Sequence, residues 1–99
     1  MFFGSFDHNI YAVHSATGRL HWNFTTGDQV GSRPALTSDE KLLYMGSFDG
    51  SIYALHVADG SLLWKYPTGN AVHCDPALSH DDKLLVFGSY DASIYALSI

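Results

Sequence analysis

The residue types best suited to chemistry lie together at His73-Cys74-Asp75. Imidazole, thiolate and carboxylate groups are all metal ligands. Adjacent side chains on a strand point to opposite faces, so His73 and Asp75 can converge while Cys74 points away from them. Because a metal site needs about three or four converging ligands, we assign no metal ligands and interpret these residues as polar groups near the start of a strand.

Three aspartates and two tryptophans also recur, each set at an interval of 42 residues. Asp7, Asp49 and Asp91 fall on different structural units, so they do not form an acid–base pair, and we interpret them as turn formers. Trp22 and Trp64 could stack a quinone or a sugar, but their equivalent positions favour packing between units. The sequence contains no nucleophile elbow, phosphate-binding glycine loop or zinc-ligand spacing, so we predict no catalytic residues.

The same interval runs through the whole sequence. The string Gly-Ser-aromatic-Asp occurs three times, and each copy is followed by Ile-Tyr-Ala. Self-similarity at a fixed period of this length indicates a repeat architecture. The chain holds about two and a third repeats. The copies begin at Gly4-Ser5-Phe6-Asp7, Gly46-Ser47-Phe48-Asp49 and Gly88-Ser89-Tyr90-Asp91.

Each repeat has the pattern of four short strands joined by tight turns. Runs of aromatic and aliphatic residues alternate with Asp-Gly, Thr-Gly or charged turns. Asp49-Gly50 and Asp59-Gly60 can supply the positive φ that tight hairpin turns need. The position of Gly50 is taken by His8 and Ala92 in the other repeats, where a positive φ would strain the backbone. No segment has a sustained helical period, so we predict little or no helix.

The strands are apolar on both faces. In the second repeat Ile52 and Ala54 point one way, and Tyr53 and Leu55 point the other. Such a sheet must be covered on both sides. A row of face-packed sheets does this, and the β-propeller is its ring-shaped form. We therefore predict an all-β fold, a partial β-propeller of stacked four-stranded antiparallel blades.

The repeat boundaries divide the chain into a partial blade of three strands at 1–29, a complete blade at 30–71 and a partial blade of three strands at 72–99. In this arrangement His73 and Asp75 begin an innermost strand and face the central channel. A closed propeller typically needs about four to eight blades. The chain is therefore either a piece of a longer array or a unit that assembles with copies of itself.

The second repeat carries a family likeness. The string from Gly46 to Leu55, followed by Asp59-Gly60, Trp64 and Thr68-Gly69, resembles a blade of the PQQ-type (quinoprotein alcohol dehydrogenase-like) propellers. In that family the stretch from Ala to Trp is a tryptophan-docking motif. The resemblance implies structural docking roles, without catalysis, for six residues: Ala12, Gly18, Trp22, Ala54, Gly60 and Trp64.

The resemblance leaves two functions open. A quinone-dependent dehydrogenase of this family would want a vicinal cysteine pair, calcium ligands and a catalytic aspartate, and this chain has one cysteine. Many such propellers carry no quinone and resemble outer-membrane assembly factors, sensor domains or appended domains. We predict a non-catalytic scaffold or protein-interaction module without a cofactor. The alternative is a piece of a quinone- or metal-binding propeller of a PQQ-dependent dehydrogenase-like enzyme.

Composition narrows the range of partners. The formal net charge is −5, which argues against nucleic acid or an anionic membrane as a partner. There is no apolar run near the length of a membrane span, and Met1-Phe2-Phe3-Gly4 lacks the basic region of a signal peptide. The single cysteine excludes an intrachain disulfide. We expect a protein partner, or self-association, through exposed blade faces.

Overall fold

The computed structural model describes residues 2–13, 16–31, 33–72 and 75–99. These ranges contain ten β-strands and no helix, so the all-β prediction is confirmed. It follows that no helix in them is long and apolar enough to cross a bilayer. The strands are β1 (Phe2–Gly4), β2 (Asn9–Val13), β3 (Leu20–Thr25), β4 (Ala35–Leu36), β5 (Leu42–Gly46), β6 (Ser51–His56), β7 (Leu62–Pro67), β8 (Ala77–Leu78), β9 (Leu84–Gly88) and β10 (Ile94–Ser98).

The strands form three antiparallel sheets in which chain neighbours pair with each other. The first blade has the order β1-β2-β3, the central blade β4-β5-β6-β7 and the third blade β8-β9-β10. Strands one repeat apart occupy the same place in their sheets, so β2, β6 and β10 are equivalent, as are β3 and β7. The sheets are blades of a partial β-propeller, as the repeats predicted.

Two apolar layers hold the blades together. Alternate residues of β6 enter different layers: Tyr53 and Leu55 face the first blade, whereas Ile52 and Ala54 face the third. This is the two-sided pattern expected from the sequence. The first layer contains Ile10, Ala12, Trp22, Val30, Leu43, Met45, Tyr53 and Leu55. The second contains Tyr44, Ile52, Ala54, Val72, Leu85 and Phe87.

In the part of the chain that the structure describes, no apolar layer covers the outer faces of the two end blades. Ile94 of β10 is 83% exposed, whereas its equivalent Ile52 is 0% exposed. On the other end, Phe3 of β1 is 41% exposed, whereas its equivalent Met45 is 0% exposed. Residue types that are buried in the central blade are therefore exposed in both end blades.

The turn after each Gly-Ser-aromatic-Asp string has a positive φ. The φ angle is 94° at Gly50, 79° at His8 and 72° at Ala92. The strain expected at the two positions without glycine is therefore present. A left-handed conformation costs an L-residue about 1–2 kcal/mol, so each end blade has a turn that is less stable than that of the central blade.

Replacing Ala92 by glycine should stabilise the protein. The strain relieved, roughly 1–2 kcal/mol, exceeds the extra entropy of an unfolded glycine, roughly 0.4–1 kcal/mol. We expect Ala92→Gly to raise the free energy of unfolding in urea, and Gly50→Ala to lower it by about 1 kcal/mol or more. The control is Ala58→Gly, at an exposed turn residue without a positive φ. This substitution should lower the free energy of unfolding. A lower free energy of unfolding for Ala92→Gly would contradict the strain argument.

Candidate interaction sites at the blade joints

An aspartate ties each blade to the blade before it. Asp49 Oδ1 accepts a hydrogen bond from Ser51 N at 2.9 Å, which closes its own turn. Its Oδ2 accepts one from Gly27 N of the first blade at 2.9 Å, and the Tyr53 hydroxyl donates to the same oxygen. Asp49 is therefore the predicted turn former and also a bridge between blades, a role that the turn interpretation missed.

The same bridge recurs one repeat later. Asp91 Oδ1 accepts from Ser93 N at 2.9 Å, and its Oδ2 accepts from Gly69 N at 3.0 Å. The Tyr95 hydroxyl again donates to Oδ2. The signal was present in the sequence, since Thr-Gly, Asp and a Tyr four residues after the Asp all recur with the repeat period.

Buried hydroxyl groups lie beside each aspartate bridge. Thr26 Oγ1 lies 3.0 Å from Ser47 Oγ and donates to Asp28 O at 2.6 Å. In the next joint Thr68 Oγ1 lies 2.9 Å from Ser89 Oγ. These polar groups have partners across the joint, so their burial is compensated.

The glycine of the Gly-Ser pair permits close approach of the next repeat. A Cβ atom at Gly46 would lie 2.3 Å from Val72 Cγ1, and one at Gly4 would lie equally close to Val30 Cγ1. Val72 N also donates to Ser47 O at 3.0 Å. The Gly-Ser pair therefore recurs because the backbone at this point must contact the start of the following repeat.

The aspartate bridges shift the pKa values of the tyrosine hydroxyl and aspartate carboxyl groups that form them. Burial, followed by the hydrogen bond to Asp49, raises the pKa of the Tyr53 hydroxyl well above its ordinary value of 10.0. In the later joint the hydrogen bond from the Tyr95 hydroxyl is the main cause that lowers the pKa of the Asp91 carboxyl. Both shifts favour a neutral tyrosine beside an ionised aspartate.

Stability should fall at alkaline pH because of this arrangement. The folded state holds the Tyr53 proton more tightly than the unfolded chain does. The stabilisation is therefore complete below about pH 10 and is lost as pH rises through the raised pKa. Urea denaturation between about pH 8 and 11 should show this decline, and Tyr53→Phe should make it shallower. An unchanged slope in Tyr53→Phe would show that Tyr53 does not contribute.

A tryptophan forms the second type of joint, between the first and central blades. Trp22 is 8% exposed, and its Nε1 donates to Val57 O at 2.8 Å. A Cβ atom at Gly60 would lie 2.5 Å from the indole ring, so only glycine fits there. The neighbouring His21 Nε2 lies 2.9 Å from Ala58 O. The turn after β6 thus covers Trp22.

The six residues predicted to have docking roles differ in their surroundings. Ala12 and Ala54 are buried and lie opposite Trp22 and Trp64 in their sheets. Gly18 and Gly60 both have a positive φ, but Gly18 has open space around it, whereas Gly60 lies against the ring of Trp22. The complete contact of indole on glycine is therefore that between Trp22 and Gly60, and the assignment of all six to docking remains our proposal.

Trp64 lies at an open position on the far side of the central blade. It is half-buried and packs against Tyr44 with ring centroids 5.7 Å apart. Beside it is a cavity of about 290 Å³. The cavity is lined by Trp64, Tyr66, Leu97, Ser98 and Ile99.

Of the predicted channel-facing pair, His73 lies outside the described residues, as does Cys74. Asp75 is exposed, and its Oδ1 accepts a hydrogen bond from Arg33 N at 2.7 Å. Arg33 is the equivalent residue one repeat earlier, so Asp75 also links neighbouring blades. In the described part of the chain, no three His, Cys, Asp or Glu side chains come together in a way that could hold a metal ion. The channel position of His73 and Asp75 remains a prediction.

The two tryptophans offer a matched test of docking. Trp22→Ala should lower the free energy of unfolding by about 3–5 kcal/mol, as large core truncations do. Trp64→Ala should cost less, because no glycine turn covers that ring in the described structure. Urea denaturation of both variants, with Trp22→Phe as a milder change, measures the difference. Equal losses at the two positions would contradict a specific role for the covering turn.

Comparison with known proteins assigns the chain to a family. The sequence model of PQQ-type repeats described as outer membrane protein assembly factor BamB matches residues 7–99. The chain belongs to this family. The predicted resemblance to PQQ-type propellers is thereby confirmed. No curated protein matches the sequence significantly.

A BamB structure has the same fold. The crystal structure of BamB from Moraxella catarrhalis matches with a TM-score of 0.84 at 14% sequence identity. The match covers 100% of this chain and 29% of that BamB chain. At this identity the likeness shows the propeller fold, and this chain spans less than a third of the BamB chain it matches.

Proposed function

We propose that this chain is a non-catalytic propeller segment that acts as a scaffold or protein-interaction module. The observation that carries the proposal is the uncovered outer face of the third blade. Leu84, Val86 and Ile94 are all exposed there, although the equivalent side chains of the central blade are partly or fully buried against the third blade. An apolar face that a further blade would cover is suited to contact with protein.

The use of the recurring polar residues supports a non-enzymatic role. The aspartates, tyrosine hydroxyls and threonine–serine pairs are engaged in turns and in joints between blades. A catalytic centre would instead need titratable groups directed at a substrate. The name of the matching family, an outer membrane protein assembly factor, also supports a role in contacts between proteins.

The blade boundaries are part of this proposal. We assign the partial blades to 1–29 and 72–99 and the complete blade to 30–71. The two partial blades then present the interaction faces, and the central blade fixes their relative orientation. No cofactor enters the proposal.

The protein should associate through these faces. Burial of apolar surface contributes roughly 25 cal/mol per Å², so we expect oligomers at low micromolar concentration in sedimentation velocity. Ile94→Lys should shift the distribution towards monomer, because a charge on the apolar face opposes its burial. His80→Lys adds the same charge in an exposed loop and should leave association unchanged.

Two outcomes would contradict the proposal. A sharp monomer of 10.9 kDa with a cooperative thermal transition would show that the faces do not drive association. Saturable, stoichiometric binding of pyrroloquinoline quinone with calcium, followed by absorbance, would favour the enzyme alternative instead.

A further inference from the structure

We propose that Asp59-Gly60 is a site of covalent self-modification, at which the aspartate converts to isoaspartate and the joint between the first and central blades is loosened. The site is the turn between β6 and β7 of the central blade. This turn lies against Trp22 of the first blade. The site lies outside the proposed interaction faces, and its chemistry does not depend on them.

The reaction needs only water and these two residues. Gly60 N attacks Cγ of the protonated Asp59 carboxyl, so that a Cγ–N bond forms, a Cγ–O bond breaks and one water molecule leaves. Water then adds to the main-chain carbonyl carbon of Asp59 and breaks its bond to Gly60 N. The product is isoaspartate, in which the main chain runs through Cγ, and no oxidant or reductant takes part.

The sequence contains the same reactive tripeptide twice, which provides an internal comparison. Asp-Gly-Ser occupies positions 49–51 and 59–61, and no other aspartate precedes a glycine. The local turns are alike, because the serine N donates to the aspartate Oδ1 at 2.9 Å in the first and at 3.0 Å in the second. Both glycines have a positive φ. A difference in reactivity between the two sites must therefore arise from their surroundings.

The second carboxylate oxygen distinguishes the two aspartates. Asp49 Oδ2 accepts a hydrogen bond from Gly27 N across the joint at 2.9 Å and another from the Tyr53 hydroxyl. Asp59 is exposed, and its Oδ2 has no hydrogen-bond partner among the described residues. Its Oδ1 accepts only from the N and Oγ atoms of Ser61 in the same turn. The Asp59 carboxyl can therefore rotate towards the following amide without breaking a bond to another blade, whereas that of Asp49 cannot.

The attacking amides are engaged at both sites. Gly60 N donates to His56 O at 2.8 Å, and Gly50 N donates to Ser47 O at 3.2 Å. Each amide must leave a hydrogen bond of its own turn before it attacks, and the shorter bond at Gly60 slows the reaction there. The bonds to the Asp49 carboxylate outweigh this difference, because hydrogen bonds to an ionised group are about twice as strong as neutral ones.

The carboxyl group is attacked in its protonated form. The hydrogen bond from Ser61 N is the main cause that lowers the pKa of the Asp59 carboxyl, and the charge of His56 acts in the same direction. His21 of the first blade lies against the neighbouring Ala58 O. Asp59 is ionised at neutral pH, so its modification should accelerate as the pH falls towards about 5 and the protonated share grows.

The modified turn cannot keep its contact with Trp22. A Cβ atom at Gly60 would lie 2.5 Å from the indole ring, so the turn has no spare room at this point. Isoaspartate lengthens the main chain by one methylene group immediately before Gly60. Val57 O, which accepts the indole N–H at 2.8 Å, belongs to the same turn. Isomerisation at Asp59 therefore displaces the turn and uncovers Trp22.

The test is ageing of the full chain at mildly acidic pH, followed by digestion with chymotrypsin. This protease cuts after Tyr53 and so separates the two sites. Isoaspartate in each peptide is measured with an isoaspartyl methyltransferase and labelled S-adenosylmethionine. We expect it to form at Asp59 about tenfold faster than at Asp49, or more, which corresponds to about 1.4 kcal/mol in activation free energy. In urea, which unfolds the chain, the two rates should be equal.

Variants of the protein separate the causes. Tyr53→Phe removes one donor from Asp49 Oδ2 and should accelerate modification at Asp49 while leaving the rate at Asp59 unchanged. Asp59→Glu would have to close a six-membered ring, which forms far more slowly, and should not age. In a Trp64→Phe background Trp22 is the single tryptophan. Ageing should then move the tryptophan emission to longer wavelength, and Asp59→Glu should prevent this shift.

Equal rates at the two sites in the folded protein would overturn the inference. So would the absence of isoaspartate at Asp59 in the folded protein when the unfolded chain forms it in urea. Isoaspartate at Asp59 without a change in the emission of Trp22 would contradict the loosening of the joint. These failures are distinguishable from failure of the proposed function, because association through the Ile94 face is measured separately in sedimentation.

Discussion

A sheet with two apolar faces cannot be stable alone, and this constraint determines how the whole chain is organised. The central blade satisfies it by packing Tyr53 and Leu55 on one neighbour and Ile52 and Ala54 on the other. Within the described residues, each end blade satisfies this constraint on one face only. The same residue types therefore act as core in one repeat and as contact surface in another, and their environment depends on what lies beside them.

Apolar layers alone would let the blades slide, because hydrophobic burial is non-directional. The hydrogen bonds between blades are directional and therefore fix how neighbouring blades are oriented. Asp49 bonds to the backbone of its own turn and of the preceding blade at once, and Gly46 lets Val72, at the start of the following repeat, approach its backbone closely. Since these bonds require fixed geometry, they set the angle at which one blade meets the next, whereas the apolar layers supply most of the free energy.

The repeat period predicted most of the fold, because strand patterns, turns and two-sided hydrophobicity all recur with it. The strained turns at His8 and Ala92 were also predictable from comparison with Gly50. The aspartate bridge was missed because a local turn already accounted for Asp49, and a sequence does not show which backbone faces the second oxygen. The difference between Trp22 and Trp64 was equally hidden, since it arises from the neighbouring turn and not from the tryptophan itself.

The unequal coverage of the blades has a consequence for cooperativity. In a linear array, stability is approximately the sum of terms within units and between nearest neighbours. Among the described residues, the central blade has four strands and two such neighbour terms, whereas each end blade has three strands and one neighbour term. Local opening should therefore cost the least free energy in the two end blades and the most in the central blade.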